Sequence, residues 1–335
     1  MVLEYLLRSN VQIQGVPALD GLPDTELTKY LRQYLLACRA ENKSPHTLWG
    51  YGDFIGYFIR FLAANKMTPG PAAVTPDHIR IYVVSLQERR LSPETINAYY
   101  RALHTFFNWL TEQEHIEKNP FEKLHAPKMP HKLVKAFPQE VVTSILKLSF
   151  GDTSFAGRRN LAMVLVFLDT GIRQQEMTQM QLGDFLPNQG LLKVMGKGGK
   201  ERIVKVGKSA ERALLQYLVG RKDHCEAMWV TEEGLAMKAK GIDMAIRRLG
   251  LRAGVPKSIK LGTHTYRHTA ATSYLRNGGN IKCLQEMLGH EHITTTMKYV
   301  DALGPELLIK DHEAASPVDN LLRGGAVKSR LAKRR

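Results

Sequence analysis

The chain has 335 residues, with 47 Lys and Arg against 32 Asp and Glu for a formal net charge of +15, and three cysteines. This length exceeds one ordinary domain and predicts two. The charge predicts a polyanionic partner, nucleic acid first, although basicity alone equally fits a ribosomal or membrane-surface protein. In chain order, residues 1–22 read as an extension, and the first strong helix is expected from Thr25 to Glu41 with Leu27, Tyr30, Leu31, Tyr34 and Leu35 as its apolar positions. Ser44-Pro45 opens a second helix with the stripe Tyr51, Ile55, Phe58 and Leu62, since Ser as cap followed by Pro is a start signal. Thr75-Pro76 starts a third, and Ser92-Pro93 a fourth with Tyr99, Leu103, Phe106 and Leu110. Together these predict a helical domain over 23–118. Lys43, Arg89, Arg90, Arg101 and Lys118 are its candidate phosphate contacts, a solvated face being the default for any one of them.

From Asn119 to Ala136 the chain is rich in Pro, Lys and His and reads as an extended linker, a hinge that lets two domains close around a duplex. The second domain, 137–301, is expected to be mostly helical with a small sheet. The apolar run Leu161 to Leu168 leads into Thr170, Gly171, Ile172, Arg173, Gln174, Gln175 and Glu176. Two strands, Leu191 to Met195 and Arg202 to Val206, flank a Gly-Lys-Gly-Gly turn that carries Lys197. A helix from Thr263 to Asn277 places His264 and Arg267 three apart on one face, and Gly278 and Gly279 end it. Asn280 then caps a helix through Ile281, Leu284, Met287 and Leu288, which Gly289 stops just before His290; a third short helix carries Tyr299.

Arg, His and one phenol within this last stretch are what attack on a phosphodiester requires. A pentacoordinate phosphate spreads charge over its non-bridging oxygens, fixed cationic donors stabilise it, and a tyrosine hydroxyl supplies the nucleophile. Each group also has an ordinary structural reading. Arg173 fits a surface pair with Glu176, Lys197 a solvated hairpin tip, His264 a buried hydrogen-bonded ring, His290 a helix cap and Tyr299 a core aromatic. The ordered set favours chemistry over the separate structural readings.

The set resembles the tyrosine recombinases, or phage integrase family. Their first block is Thr-Gly-Leu-Arg-x-x-Glu, and their second is His-x-x-Arg, then Leu-Gly-His, then Tyr nine residues beyond. Here Tyr299 stands nine beyond His290, and Gly196-Lys197-Gly198 fits the turn that holds the family's lysine. Ile172 stands for the usual Leu, and Gln174, Gln175 and Met177 replace commoner small and aliphatic neighbours. The resemblance implies a mainly α fold with a small β-sheet, a helical core-binding domain followed by a mixed α/β catalytic domain. It implies a site-specific recombinase of Xer, transposon or plasmid type, since the N-terminal extension is shorter than an added arm-binding domain.

Under that resemblance Tyr299 is the nucleophile, Arg173 and Arg267 clamp the phosphate, His264 is the base toward Tyr299, and His290 adds a phosphate hydrogen bond. Lys197 protonates the departing 5′-oxygen, and Glu176 supports Arg173. The product is a 3′-phosphotyrosyl link, so no ATP, metal or other cofactor is expected. The partners implied are double-stranded DNA and further copies of the chain, as a tetramer on DNA, with the tail 302–335 docking on a neighbouring protomer. A type IB topoisomerase-like relaxing enzyme and a non-catalytic DNA-binding regulator are the alternatives. Scattered cysteines without Cys-x-x-Cys or His-Glu-x-x-His argue against structural zinc. Leu161 to Leu168 is far short of a membrane span and no secretory pattern opens the chain, so a cytoplasmic protein with reduced thiols is expected.

Overall fold

The computed structural model describes residues 19–67, 69–130, 135–196 and 199–305, with 309, 312, 313 and 316. Lys197, most of the 1–22 extension and nearly all of the tail, including Leu307, Leu308 and the basic end, lie outside the described residues. The chain divides into two compact units, Met1–His131 and Lys132–Arg335.

Among the described residues, the first unit is built on four α-helices: α1 (Glu26–Ala40), α2 (Pro45–Ala64), α3 (Pro76–Glu88) and α4 (Pro93–Glu112). Each begins where a side-chain oxygen satisfies an N–H that the helix itself leaves unpaired. Thr25 accepts from Thr28 N, Ser44 from Thr47 N and Ser92 from Thr95 N, and Thr75 forms a reciprocal box with His78. The buried stripes meet in one core, where Leu31, Leu35, Ile55, Tyr82, Leu103, Phe106 and Phe107 have no exposed surface. The segment expected as linker starts later than its composition suggests. Phe121 is buried and packs edge-on against Tyr100, because an aromatic ring gains more from the core than from solvent.

The second unit follows as α5 (Gln139–Gly151), α6 (Phe155–Thr170), α7 (Gln174–Gln179), strands β1 (Phe185–Leu186), β2 (Leu191–Met195) and β3 (Glu201–Lys205), and α8 (Lys208–Val219). Among the described residues it continues with α9 (Ala239–Arg252), α10 (Thr263–Arg276), α11 (Ile281–Leu288) and α12 (Thr294–Leu303). Helix α6 is apolar on nearly every side, so it is buried, with Ala162, Met163, Val164, Val166 and Phe167 fully covered. The sheet is an antiparallel meander in the order β1-β2-β3, with Leu191 opposite Lys205 and Met195 opposite Glu201. Strand β3 therefore starts and ends one residue earlier than expected. Inward Leu192 and Val194 join the core that α6 fills. Helix α12 runs to Leu303, which is buried with Tyr299, Leu284 and Leu288, so the folded unit extends past the expected boundary at Asp301.

Candidate active site

Gly171 ends α6 in a left-handed conformation (φ 61°), where a β-carbon would stand 2.8 Å from a Leu288 methyl. Glycine alone suits both demands. The turn delivers Arg173 to the N-terminus of α7, where Glu176 accepts from the Arg173 backbone N–H at 2.7 Å and from its Nη1 at 2.8 Å. Glu176 also accepts two parallel bonds from Arg202, Nη1 and Nη2 each at 2.8 Å. Burial pushes this carboxyl's pKa up, but the bonds from Arg202 and Arg173 outweigh it and hold it below the ordinary range.

Three guanidinium groups then meet three consecutive carbonyls at the end of α11. Arg202 Nε donates to Met287 O at 3.1 Å, Arg267 Nη2 to Leu288 O at 2.8 Å, and Arg173 Nη2 to Gly289 O at 3.1 Å. A helix C-terminus leaves such carbonyls unpaired and carries partial negative charge, so cations are its natural partners. Arg267 also donates to Gly171 O at 2.6 Å, which ties the ends of α6 and α11 together. Burial first, then the charge of Arg173, lowers the Arg267 pKa to about 10, leaving it cationic near neutral pH.

This frame presents His290. Arg267 Nη2 lies 2.9 Å from His290 Nε2, and Thr296 Oγ1 lies 2.9 Å from Nδ1. Arginine only donates, so Nε2 accepts, and the ring hydrogen belongs on Nδ1, pointing at Thr296. Burial, followed by Arg267 and Arg173, lowers the His290 pKa to about 3, so the ring is neutral. In this arrangement neither ring nitrogen offers a donor to phosphate, the role expected for His290. Gln285 Nε2 braces the turn by donating to His290 O at 2.9 Å.

Tyr299 lies on α12 with its ring parallel to that of His290, centroids 6.4 Å apart, and is fully buried. Burial raises its pKa, and Arg267 and Arg173 oppose that without reversing it. The expected base, His264, sits exposed in the first turn of α10, while Arg267 three residues on is buried. The imidazole at the phenol is instead that of His268, with Nδ1 3.3 Å from the hydroxyl. The structure thus brings Arg173, Glu176, Arg267, His290 and Tyr299 together, and leaves His264 exposed.

Arg202, His268, Gln285 and Thr296 were not assigned roles from sequence. Two signals existed: His268 directly follows Arg267, and Thr296 lies three before Tyr299, on the same helical face. Among the described residues no group of three or more His, Cys, Asp or Glu is arranged to hold a metal ion, and no helix is long and apolar enough to cross a membrane.

The arrangement places the positive charges of Arg173 and Arg267 close to a phenol. A family profile described as the phage integrase family matches residues 135–304, half of the chain, which includes every group above. The chain belongs to the phage integrase family. A second profile, the N-terminal SAM-like domain of phage integrases, matches residues 30–117 of this recombinase. It is 30% identical to the tyrosine recombinase XerC of Oceanobacillus iheyensis over 280 residues, covering 81% of this chain and 88% of that one. To XerD of Listeria innocua it is 26% identical over 275 residues, covering 80% and 91%. The fold of the recombinase is also that of XerH bound to palindromic difH, with a TM-score of 0.69 at 20% identity over 95% and 94% of the two chains. The Tn1549 transposon integrase in complex with a circular intermediate DNA gives a TM-score of 0.64 at 21% identity, over 82% and 94%. The recombinase is therefore an Xer-like member of the family, mostly helical with one small sheet.

Proposed function

We propose that this recombinase cleaves and rejoins duplex DNA through a covalent bond from Tyr299 to a 3′-phosphate, with Arg173 and Arg267 holding the scissile phosphate. The observation that supports this reading is the row of guanidinium groups on the carbonyls of residues 287–289, with Arg267 also bonded to His290 and, together with Arg173, acting on the Tyr299 phenol. A guanidinium has five N–H donors. Those of Arg173 and Arg267 are only partly used by the bonds described above, so each retains donors for phosphate oxygens.

The burial of Tyr299 supports a resting arrangement of this reaction. For attack, the hydroxyl meets phosphorus in line with the departing 5′-oxygen. As charge develops on the phosphate, Arg267 turns toward it and releases Nε2 of His290, which can then take a hydrogen and donate. Lys197, from the hairpin between β2 and β3, protonates the 5′-oxygen. The exposed His264 faces incoming DNA and supplies a further donor. The helical unit supplies a second DNA contact. The related XerH acts on a palindromic site, which supports an inverted-repeat duplex bound by two copies, and a tetramer for strand exchange. In that assembly the tail beyond Gly304 docks on a neighbouring copy.

The test is covalent capture. Nicked duplexes from the DNA flanking the coding sequence, chosen for inverted repeats around a short spacer, are incubated with wild type and Tyr299→Phe. A denaturation-resistant protein–DNA adduct with wild type alone is expected. Adduct with both proteins, or with neither on any fragment that the protein binds, overturns the reading. Exchange between two captured sites separates recombination from relaxation of a single supercoiled circle.

A further inference from the structure

An imidazole outside the ordered motif stands at the Tyr299 hydroxyl. His268 Nδ1 lies 3.3 Å from Tyr299 Oη, with ring centroids 5.7 Å apart. The ring is half-buried on α10, directly after Arg267. Titratable groups facing it are Lys298 from α12, and His264 and Arg267 from its own helix. Burial first, and then these three groups, lower its pKa to about 4, so it stands neutral beside a neutral phenol. In the tautomer with hydrogen on Nε2, the Nδ1 lone pair faces the phenolic proton. A general base must be within hydrogen-bond reach of the proton it takes, and geometry precedes basicity in that judgement.

We propose that His268 is the base that accepts the Tyr299 proton during cleavage, in place of the exposed His264. The proposal rests on the reading of Tyr299 as nucleophile. As Oη bonds to phosphorus, its proton passes to Nδ1 of His268. The bond from phosphorus to the 5′-oxygen breaks, and that oxygen keeps the electron pair and takes a proton from Lys197. His268 has then gained one proton and Lys197 lost one, and rejoining reverses both transfers. The DNA phosphate governs the step: its negative charge, arriving at Arg173 and Arg267, offsets the positive field that weakens His268 as a base. Without DNA the phenol stays protonated and buried. With DNA bound, the acceptor beside it gains basicity.

The experiment measures single-turnover cleavage, as a function of pH, of a nicked duplex that wild type captures covalently. His268→Asn is expected to keep its melting temperature and gel-shift affinity and to cleave about 100-fold more slowly or worse. Because the imidazole must be neutral to accept, the wild-type rate should fall on the acid side; in His268→Asn that limb disappears and the rate climbs with hydroxide. Replacing the scissile 5′-oxygen with sulfur, a leaving group that needs no proton, should restore cleavage to Lys197→Ala and not to His268→Asn. Should His268→Asn unfold, His268→Ala with added imidazole decides, since a diffusible base restores a missing proton acceptor. Cleavage by His268→Asn within threefold of wild type, an unchanged acid limb, rescue by sulfur, or a folded His268→Ala that imidazole does not rescue overturns the proposal. A wild type that yields no adduct at all removes the nucleophile reading instead, and is seen before any His268 variant is made.

Discussion

Glu176 and Arg202, twenty-six positions apart, form a two-bond ion pair with both distances at 2.8 Å, on a carboxylate that is almost fully buried. Because Glu176 also receives Arg173, it links α7, strand β3 and, through Arg202 Nε, the end of α11. Removing Arg202 takes two of the bonds from a buried carboxylate and leaves Arg173 as its single charged partner among the described residues. Arg202→Met should therefore lower unfolding free energy by about 3–5 kcal/mol, measured in urea. It should also slow cleavage, since Glu176 would then draw Arg173 away from phosphate. Full stability in Arg202→Met would refute the pairing.

Gly289 adopts φ 63°, and a β-carbon there would lie 3.0 Å from the Arg202 guanidinium carbon. Gly289→Ala meets both the left-handed backbone cost and that contact. A loss of about 1–3 kcal/mol is expected, with a cleavage defect larger than that of an equally destabilising change in the first unit. Melting curves and adduct yields measure the two effects. Equal defects would mean that the glycine serves folding alone.

Thr296 is fully buried and holds Nδ1 of His290. Thr296→Val keeps the shape and removes the oxygen, so the ring loses the partner that orients it. Cleavage should fall by about tenfold, equivalent to one hydrogen bond of about 1.4 kcal/mol, while gel-shift affinity for DNA is retained. Wild-type cleavage rates in this variant would separate Thr296 from the chemistry.

Acid should destabilise the second unit in two stages. His268 and His290 are held neutral, with pKa values lowered to about 4 and about 3, so the unfolded chain takes up protons there first. Stability that these rings contribute is complete above their unfolded pKa of about 6.5 and is lost as pH falls toward the folded values. Glu176, lowered in the folded state, adds a loss that begins near its ordinary value of about 4.3. Urea unfolding from pH 7 to 4 should show the first slope in wild type and a shallower one in His290→Gln; identical slopes would contradict the assigned neutrality.

Truncation tests the tail. The sequence suggests a cut after Asp301, but Leu303 is buried against the Tyr299 cluster. A chain ending at Gly304 keeps that contact. It should bind a single DNA site as wild type does and lose assembly of paired sites on a sizing column, whereas unchanged pairing would exclude a docking role for the tail.

What the sequence determined by itself is local. Ser44, Thr75, Ser92 and Asn280 cap helices where their pattern says they should, because a cap needs only a side chain and the N–H groups two or three residues ahead. Gly171 and Gly289 end helices for an equally local reason, the left-handed backbone. The order of Arg173, Lys197, His264, Arg267, His290 and Tyr299 named the family without any coordinates. Only the tertiary structure decided that His268 rather than His264 meets the phenol, that Arg202 shares Glu176, and that three guanidinium groups bind the carbonyls of residues 287–289. Helical spacing leaves a residue's neighbour on another helix undefined. That neighbour is set when α6, α10, α11 and α12 pack and their buried donors and acceptors must all find partners.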